Sequence, residues 1–411
     1  MLKRLAGRVD RLLTFKRASV YALLLIALYA VASVQVLLAG NPPLNSAGVP
    51  IGGDYIAFHS AARLLLSGRG ADIYDQAALA AVQDQLLGGR IANFYDAYRN
   101  PPFYVLLYVP FAALDLLPGY VLFTVFSLGC LALALWLLVA EMPALRSRWP
   151  GLVILVLAFP PVYFGLIDGE NATLALLLYA LLYRSLVRGE DRAAGVWAAL
   201  GLFKPQLFVV FPLVFLARRQ WRALAAYIVT AFALAVVSLL LVGPEGMQAW
   251  LRILFDQESG NASVNAWRMA SLKSFFDSLL PRQMWLAMGL YLMTTLLLLS
   301  CLVHVWSSRR LNLHLAWTFT VLTAVLIDPH LVDYDLTVLV AAAVSALLLI
   351  PELRPMAVGV FALLPLRAAV ALGDSVSIQL SVLVLLGCIG VTLRAIRRKS
   401  VSNQEQSAYI R

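Results

Sequence analysis

Charge is what this chain most lacks. Of its 411 residues only 13% are Asp, Glu, Lys or Arg, whereas 62% are hydrophobic. No water-soluble domain is that poor in charge, so the soluble enzyme classes are excluded. Cysteine is also scarce: Cys130, Cys301 and Cys388 are the only three, and each sits inside an apolar run. Neither a disulfide framework nor a zinc site is suggested. No internal repeat of the kind that builds many transporters is visible. A small-residue cleavage site after the first apolar run is missing too, so that run is not a removable signal. The net charge of +10 does not form a basic patch interleaved with aromatics. It comes in short clusters between apolar runs, which is the pattern of cytoplasmic loops and gives no reason to expect nucleic acid as a partner.

What is present is a succession of apolar runs of about 20 residues, each enough to cross a bilayer core of roughly 30 Å. The expected fold is an all-α polytopic membrane protein with about 11–13 transmembrane helices. Lys3, Arg4, Arg8, Arg11, Lys16 and Arg17 precede the run Ala18–Ala39, an uncleaved anchor with a cytoplasmic N-terminus. Arg146/Arg148, Arg184/Arg188/Arg192, Arg218/Arg219/Arg222, Arg309/Arg310 and Arg394/Arg397/Arg398/Lys399 belong on the same side. A single membrane domain is expected over 1–395, with 40–100 as the first extracytoplasmic loop and 396–411 as a polar cytoplasmic tail. The run 193–217 starts and ends among basic residues. Either it is a hairpin of two short helices broken at Lys204–Pro205, where proline removes a backbone donor, or one of the basic clusters belongs on the other side. Broken helices at that depth are tolerated only where they line a cavity.

This topology gathers the polar motifs on the outer side: Asp54, His59, Asp168, Glu170, Asn171, Lys204, Lys273, Asp328, His330, Asp333 and Asp335. In "GGDY", Gly52–Gly53 supply a turn and Asp54 stands at the N-cap of an amphipathic helix, Tyr55–Leu66, expected to lie along the bilayer surface. A capping carboxylate held above a cavity is also a positioned base. "DPHLVDYD" (328–335) crowds four ionisable side chains into one connection, which is costly near lipid unless it faces water or a ligand. Its Asp-x-His spacing is compatible with a divalent metal but does not support one. Lys204, inside an apolar run, should meet an anion, and Arg367 in "LPLRAAVALGD" poses the same requirement. An outward cavity with a carboxylate, a histidine and buried cations suits transfer from a lipid-phosphate donor. The cations hold the leaving phosphate and the carboxylate deprotonates an acceptor hydroxyl.

The stretches "GGDYIAFHSAARLLLSGRGADIYD", "YRNPPFYVLLYVPF", "GENATLALLLYALL", "AAGVWAALGLFKPQLFVVFPLVFLARRQWRAL" and "DPHLVDYDLTVL" together resemble the bacterial integral-membrane mannosyltransferases of glycosyltransferase family 87, in the GT-C superfamily. The resemblance implies a multi-pass protein of the bacterial plasma membrane with both termini cytoplasmic. It implies an inverting transfer of a sugar, usually mannose, from a polyprenyl-phosphate donor to a lipid or glycan acceptor on the extracytoplasmic side. Asp54 and His330 are then the expected catalytic residues. Lys204, Arg367 and Lys273 are expected at the donor phosphate, and His59, Glu170, Asn171, Asp333 and Asp335 around the substrate, with no cofactor and no bound metal. Where the resemblance leads one to expect Gly-Gln-Asn, this chain has Gly169-Glu170-Asn171. Two other classes compete. A lipid-linked O-antigen ligase or polymerase would carry a large late outer loop rich in Arg and His, whereas the large outer loop here is the first. A transporter of lipid-linked sugars would need machinery for alternating access.

Overall fold

The computed structural model describes residues 7, 11–255, 268–308, 312–366, 369–371 and 377–408. The chain is a helical bundle. The first helix, α1 (Phe15–Leu38), is followed by the loop that carries α2 (Tyr55–Leu66) and α3 (Gln76–Leu87). Next come α4 (Leu116–Ala140), the bent pair α5 (Trp149–Leu157) and α6 (Pro160–Ile167), and α7 (Ala172–Arg188). Two short helices, α8 (Asp191–Leu200) and α9 (Val210–Arg218), flank Lys204. The chain continues through α10 (Trp221–Phe255), α11 (Leu272–Leu279), α12 (Met284–Trp306), α13 (Leu313–Ile327), α14 (Leu339–Leu349) and α15 (Arg354–Leu366). A small antiparallel hairpin, β1 (Ala369–Ala371) and β2 (Ser377–Gln379) with Val370 opposite Ile378, leads into α16 (Leu380–Ala408).

Five of these helices are long and apolar enough to cross a bilayer: α1, α4, α10, α12 and α16. The segment ending in α5 and α6 makes a sixth when counted as one span, bent by 58° where Pro160 and Pro161 remove backbone donors. Full-length spans are fewer than apolar runs because several runs form shorter legs. The run 193–217 is the clearest case. The Gln220 amide donates to Asp191 at 2.8 Å, so its two ends lie side by side, and Lys204 is the apex of a hairpin. Thirteen residues of helix, 191–203, lift that apex roughly 20 Å from the base, within the thickness of a bilayer core.

Side-chain exposure agrees with a lipid environment. α1 exposes Leu24, Leu28 and Val31, α10 exposes Ile228, Val229 and Phe232, and α12 exposes Met293, Leu296 and Leu297. Unpartnered apolar faces of this length are stable against hydrocarbon and not against water. Trp221 and Trp285, both exposed, begin α10 and α12. Because those two helices run in opposite directions, the indoles mark opposite ends of the bundle, as an aromatic belt would.

The two ends of the bundle differ in chemistry. One is basic: Arg184 and Arg188 meet Glu141 at 3.6 and 2.9 Å, Arg148 lies over the Phe15 ring, and the Tyr183 hydroxyl bonds His314 Nδ1 at 2.6 Å. The other end carries the acidic motifs. There α2 is more enclosed than an amphipathic surface helix: nine of its twelve residues are buried. It is wedged among α3, the 3-10 segment Pro102–Tyr108 and α4, with Phe58 stacked on Tyr108 at 4.6 Å and Tyr55 against Phe123 at 5.5 Å. The apolar stripe read from the sequence is real, but aromatic side chains cover it in place of lipid. α3 is set by signals visible in the sequence: Asp75 accepts from the Ala78 N–H at 2.7 Å, and Gly88 closes the helix in the left-handed conformation.

If the acidic end faces outward, single cysteines at positions 41 and 330 will react with a membrane-impermeant maleimide in intact cells. Cysteines at 188 and 219 will react only after permeabilisation. Reaction of one member of each pair from the same side would refute a bundle with its acidic motifs on one face.

Candidate active site

The site begins with two glycine turns that interlock. Gly52 and Gly53 have φ of 91° and 50°, and Gly169 has φ of 63°, conformations that favour glycine. A Cβ on Gly53 would lie 3.0 Å from Asp168 Cα, and one on Gly169 would lie 2.5 Å from Tyr55 Cβ and 2.8 Å from the Gly52 carbonyl. Backbone therefore packs on backbone, and this close approach brings Asp54 to Asp168 and Glu170. Asp54 is not the helix cap expected from the sequence. Its own backbone is already helical, at φ −67° and ψ −11°, and its side chain makes no capping bond. The glycine turn aims the carboxyl at the 168–171 loop and away from the N–H groups of α2.

Two buried cations organise the acids around the Tyr334 ring. Lys204 Nζ lies 2.5 Å from Asp335 Oδ1 and 3.3 Å from Glu170 Oε2, and 4.9 Å from the ring centroid. Arg268 binds Asp168 Oδ2 at 2.5 Å and Asp333 Oδ1 at 3.0 Å, with its Cζ 5.4 Å from the same centroid. A short antiparallel contact sets the register of Arg268: the Ala270 N–H donates to the Leu331 carbonyl at 3.2 Å, beside the Met269–Val332 bridge. Asp328 is wholly buried and closes the turn by accepting the His330 N–H at 2.8 Å. Burial and the neighbouring Asp335 hold its carboxyl well above the usual range. Pro329 and His330, by contrast, are exposed. The "DPHLVDYD" segment is thus not a solvated loop. Its three aspartates point inward and only its tip is wet.

The acids outnumber their cations. Burial raises the Asp54 pKa well above the carboxylate range, and the charges of Asp96, Glu170 and Asp168 raise it further. Asp96 was not anticipated. The Gln83 amide grips its backbone in both directions, donating to its carbonyl at 2.7 Å and accepting its N–H at 2.9 Å. Burial first, and Glu170 second, push the Asp96 pKa up to about 7 against the opposing charge of Arg99. At the rim, desolvation of the ring and the positive charges of Arg99, Lys204 and Lys273 lower the His330 pKa, although the residue as a whole is exposed. Lys273 itself pairs with Asp277 at 2.6 Å. Among the described residues no group of three or more His, Cys, Asp or Glu side chains is arranged to hold a metal ion.

The other expected residues divide. Glu170, Asn171, Asp333 and Asp335 join the cluster, and both atoms of the buried Asn171 amide lack a hydrogen-bond partner, with the Tyr104 hydroxyl nearby but outside bonding geometry. His59 does not join it. Its Nε2 donates to the Leu114 carbonyl at 3.1 Å, its ring lies beside Gly119, and burial lowers its pKa to about 4. His59 is a neutral packing residue between α2 and the start of α4. Arg367 lies outside the described residues. Arg268 and Tyr334 were missed together with Asp96. The excess of aspartate in 328–335 did demand a second cation, but nothing in the spacing pointed to a residue some sixty positions earlier.

The family model described as Glycosyltransferase family 87 matches residues 98–332, more than half of the chain. No curated protein and no solved structure matches. The matched region includes Glu170, Asn171, Lys204, Arg268 and His330. Asp54, Asp333 and Asp335 lie outside it.

Removing Arg268 leaves two aspartates facing each other with no cation between them. Arg268→Met should lower stability by on the order of 3 kcal/mol, the usual cost of breaking a largely buried pair. Adding Asp168→Asn and Asp333→Asn should restore much of the loss. Denaturant unfolding of the purified variants reads this directly, and a single variant as stable as wild type would show that Arg268 is not a structural clamp.

Proposed function

Because the chain belongs to glycosyltransferase family 87, we propose that it transfers a hexose from a polyprenyl-phosphate donor to a hydroxyl of a lipid or glycan acceptor. Mannose is the sugar the resemblance favours. The reaction takes place at the acidic end of the bundle, on the extracytoplasmic side of a bacterial plasma membrane, and the basic clusters at the other end support cytoplasmic termini. The observation that carries this reading is Asp54. It is a carboxyl held rigidly at that end, spent neither on its helix nor, among the described residues, on an ion pair.

The charges support a division of labour. Lys204 and Arg268 are already committed to Glu170, Asp335, Asp168 and Asp333, so the interior is acidic and a phosphate would be repelled from it. Arg99 and Lys273 form the positive rim, beside the exposed and neutral imidazole of His330. In this reading the donor phosphate rests at the rim, and the sugar points inward toward Asp54. Lys204 is the strut that fixes Glu170 and Asp335 and makes no direct phosphate contact. The acceptor hydroxyl attacks the anomeric carbon on the side opposite the phosphate while Asp54 takes its proton and the C1–O bond to phosphate breaks, inverting the centre. Positive charge that develops on the sugar ring meets a field of fixed carboxyls.

Purified protein should turn over one of radiolabelled polyprenyl-phosphate mannose, glucose or arabinose, if only by slow hydrolysis. Asp54→Asn should reduce transfer by at least about a hundredfold, the lower range of a general base, with no loss of thermal stability because no cap is lost. Near-normal turnover by Asp54→Asn would remove Asp54 from the mechanism.

A further inference from the structure

Glu170 is buried, and both of its protein donors fall on one oxygen. Oε2 accepts from Lys204 Nζ at 3.3 Å and from the Asn171 N–H at 3.2 Å. Across the interlocked glycine turns the Asp54 carboxyl lies within hydrogen-bonding reach of Glu170. Two carboxyls at that range bond only when one carries a proton. Lys204 is held in turn by Asp335, so the positive charge cannot move from Glu170 to Asp54. The other groups facing Asp54 are Asp96 from the first outer loop, Asp168 from its own turn and Tyr334 from the 328–335 segment. Lys204 pairs with Glu170, Arg268 with Asp168, and the charge of Arg99 bears on Asp96.

We propose that Glu170 is a positioning residue for Asp54: the two carboxyls share one proton, and Lys204 keeps the charge on Glu170 and the proton on Asp54 in the resting protein. Asp54 must lose that proton to water before it can serve as base. In transfer it then takes the proton of the acceptor hydroxyl as the new C–O bond forms and the bond to phosphate breaks. The new O–H turns back onto Glu170 and restores the pair, leaving no net proton on the protein once it is released to water. The sign of the pH effect follows. An acid held above its ordinary value ionises late, so activity rises as pH rises through that value. A neutral amide at position 170 removes one of the charges holding it up and moves the rise to lower pH.

The kinetic part rests on the glycosyl-transfer reading, whereas the proton pair can be tested without substrate. Infrared difference titration of the full-length protein should show, at neutral pH, a carboxylic-acid carbonyl band that Asp54→Asn removes and that Glu170→Gln shifts to a lower pH midpoint. In turnover, Glu170→Gln should move the acid limb of the pH–rate profile down by about one pH unit or more. A band and limb unmoved by Glu170→Gln would overturn the proposal. Should Glu170→Gln not fold, Glu170→Asp keeps a charge for Lys204 but withdraws the carboxyl by one methylene, and should shift the band in the same direction by less. An unmoved band there is equally fatal. If the band behaves as expected while no polyprenyl-phosphate sugar turns over, the pair stands and the transfer reading falls. Turnover with an unmoved band and limb gives the reverse.

Discussion

A lysine carried roughly 20 Å into an apolar bundle has to be met by anions, and the site is built around that requirement. Lys204 sits where a helical hairpin breaks at Pro205, so no continuous helix holds it there. What holds it is Asp335 from the segment after α13 and Glu170 from the loop before α7. Three elements distant in sequence are thereby tied at one ammonium. Such an arrangement is not a source of net stability, because the desolvation of three charged groups offsets most of their attraction. Its effect is positional, since few other placements of these chains satisfy all the charges at once. Arg268 repeats the device with Asp168 and Asp333, and the Tyr334 ring lies between the two cations.

This arrangement explains why the site can stay strongly acidic. Isolated carboxylates in an apolar setting would take up protons or turn toward water. Four of them are held by two cations; the charge of Glu170 and Asp168 then bears on Asp54, and that of Glu170 on Asp96. The surplus of negative potential is thus concentrated where the chain brings the glycine turn of 52–53 against the turn of 168–171. A site of this character favours a group that becomes positive and disfavours an anion deep inside it, which is why the cationic rim at Arg99 and Lys273 matters.

Much of this was legible in the sequence. The apolar runs, the basic clusters and the break at Lys204–Pro205 gave the helical membrane fold and the hairpin, since each follows from local chemistry. The helix over 55–66 was legible from its stripe, and the demand of Lys204 for an anion from its surroundings. Its partners were not legible, because pairing across 34 and 131 positions is decided by packing and leaves no periodic trace. Asp54 as a cap was a reasonable inference from an aspartate before a helix. It failed because positive φ at Gly53 turns the chain so that the aspartate is already helical. His59 was expected around the substrate from its place in the first outer motif, but its partner is the Leu114 carbonyl.

The family match covers 98–332, and this boundary has a physical counterpart. Glu170, Lys204, Arg268 and His330 lie inside the match and Asp333 and Asp335 follow directly after it, whereas Asp54 arrives from an earlier loop. That loop is docked by contacts requiring almost no side chain: a glycine against Asp168 Cα, a glycine against Tyr55, and the aromatic packing of α2 on Tyr108 and Phe123. Backbone contacts of this kind fix a position tightly while leaving the rest of the loop free to vary. The acidic socket and the carboxyl it receives are therefore separable in sequence but not in structure. A residue at position 169 larger than glycine would disturb Asp54 without touching any ionisable group, because its Cβ would strike Tyr55, the first residue of the helix that Asp54 precedes.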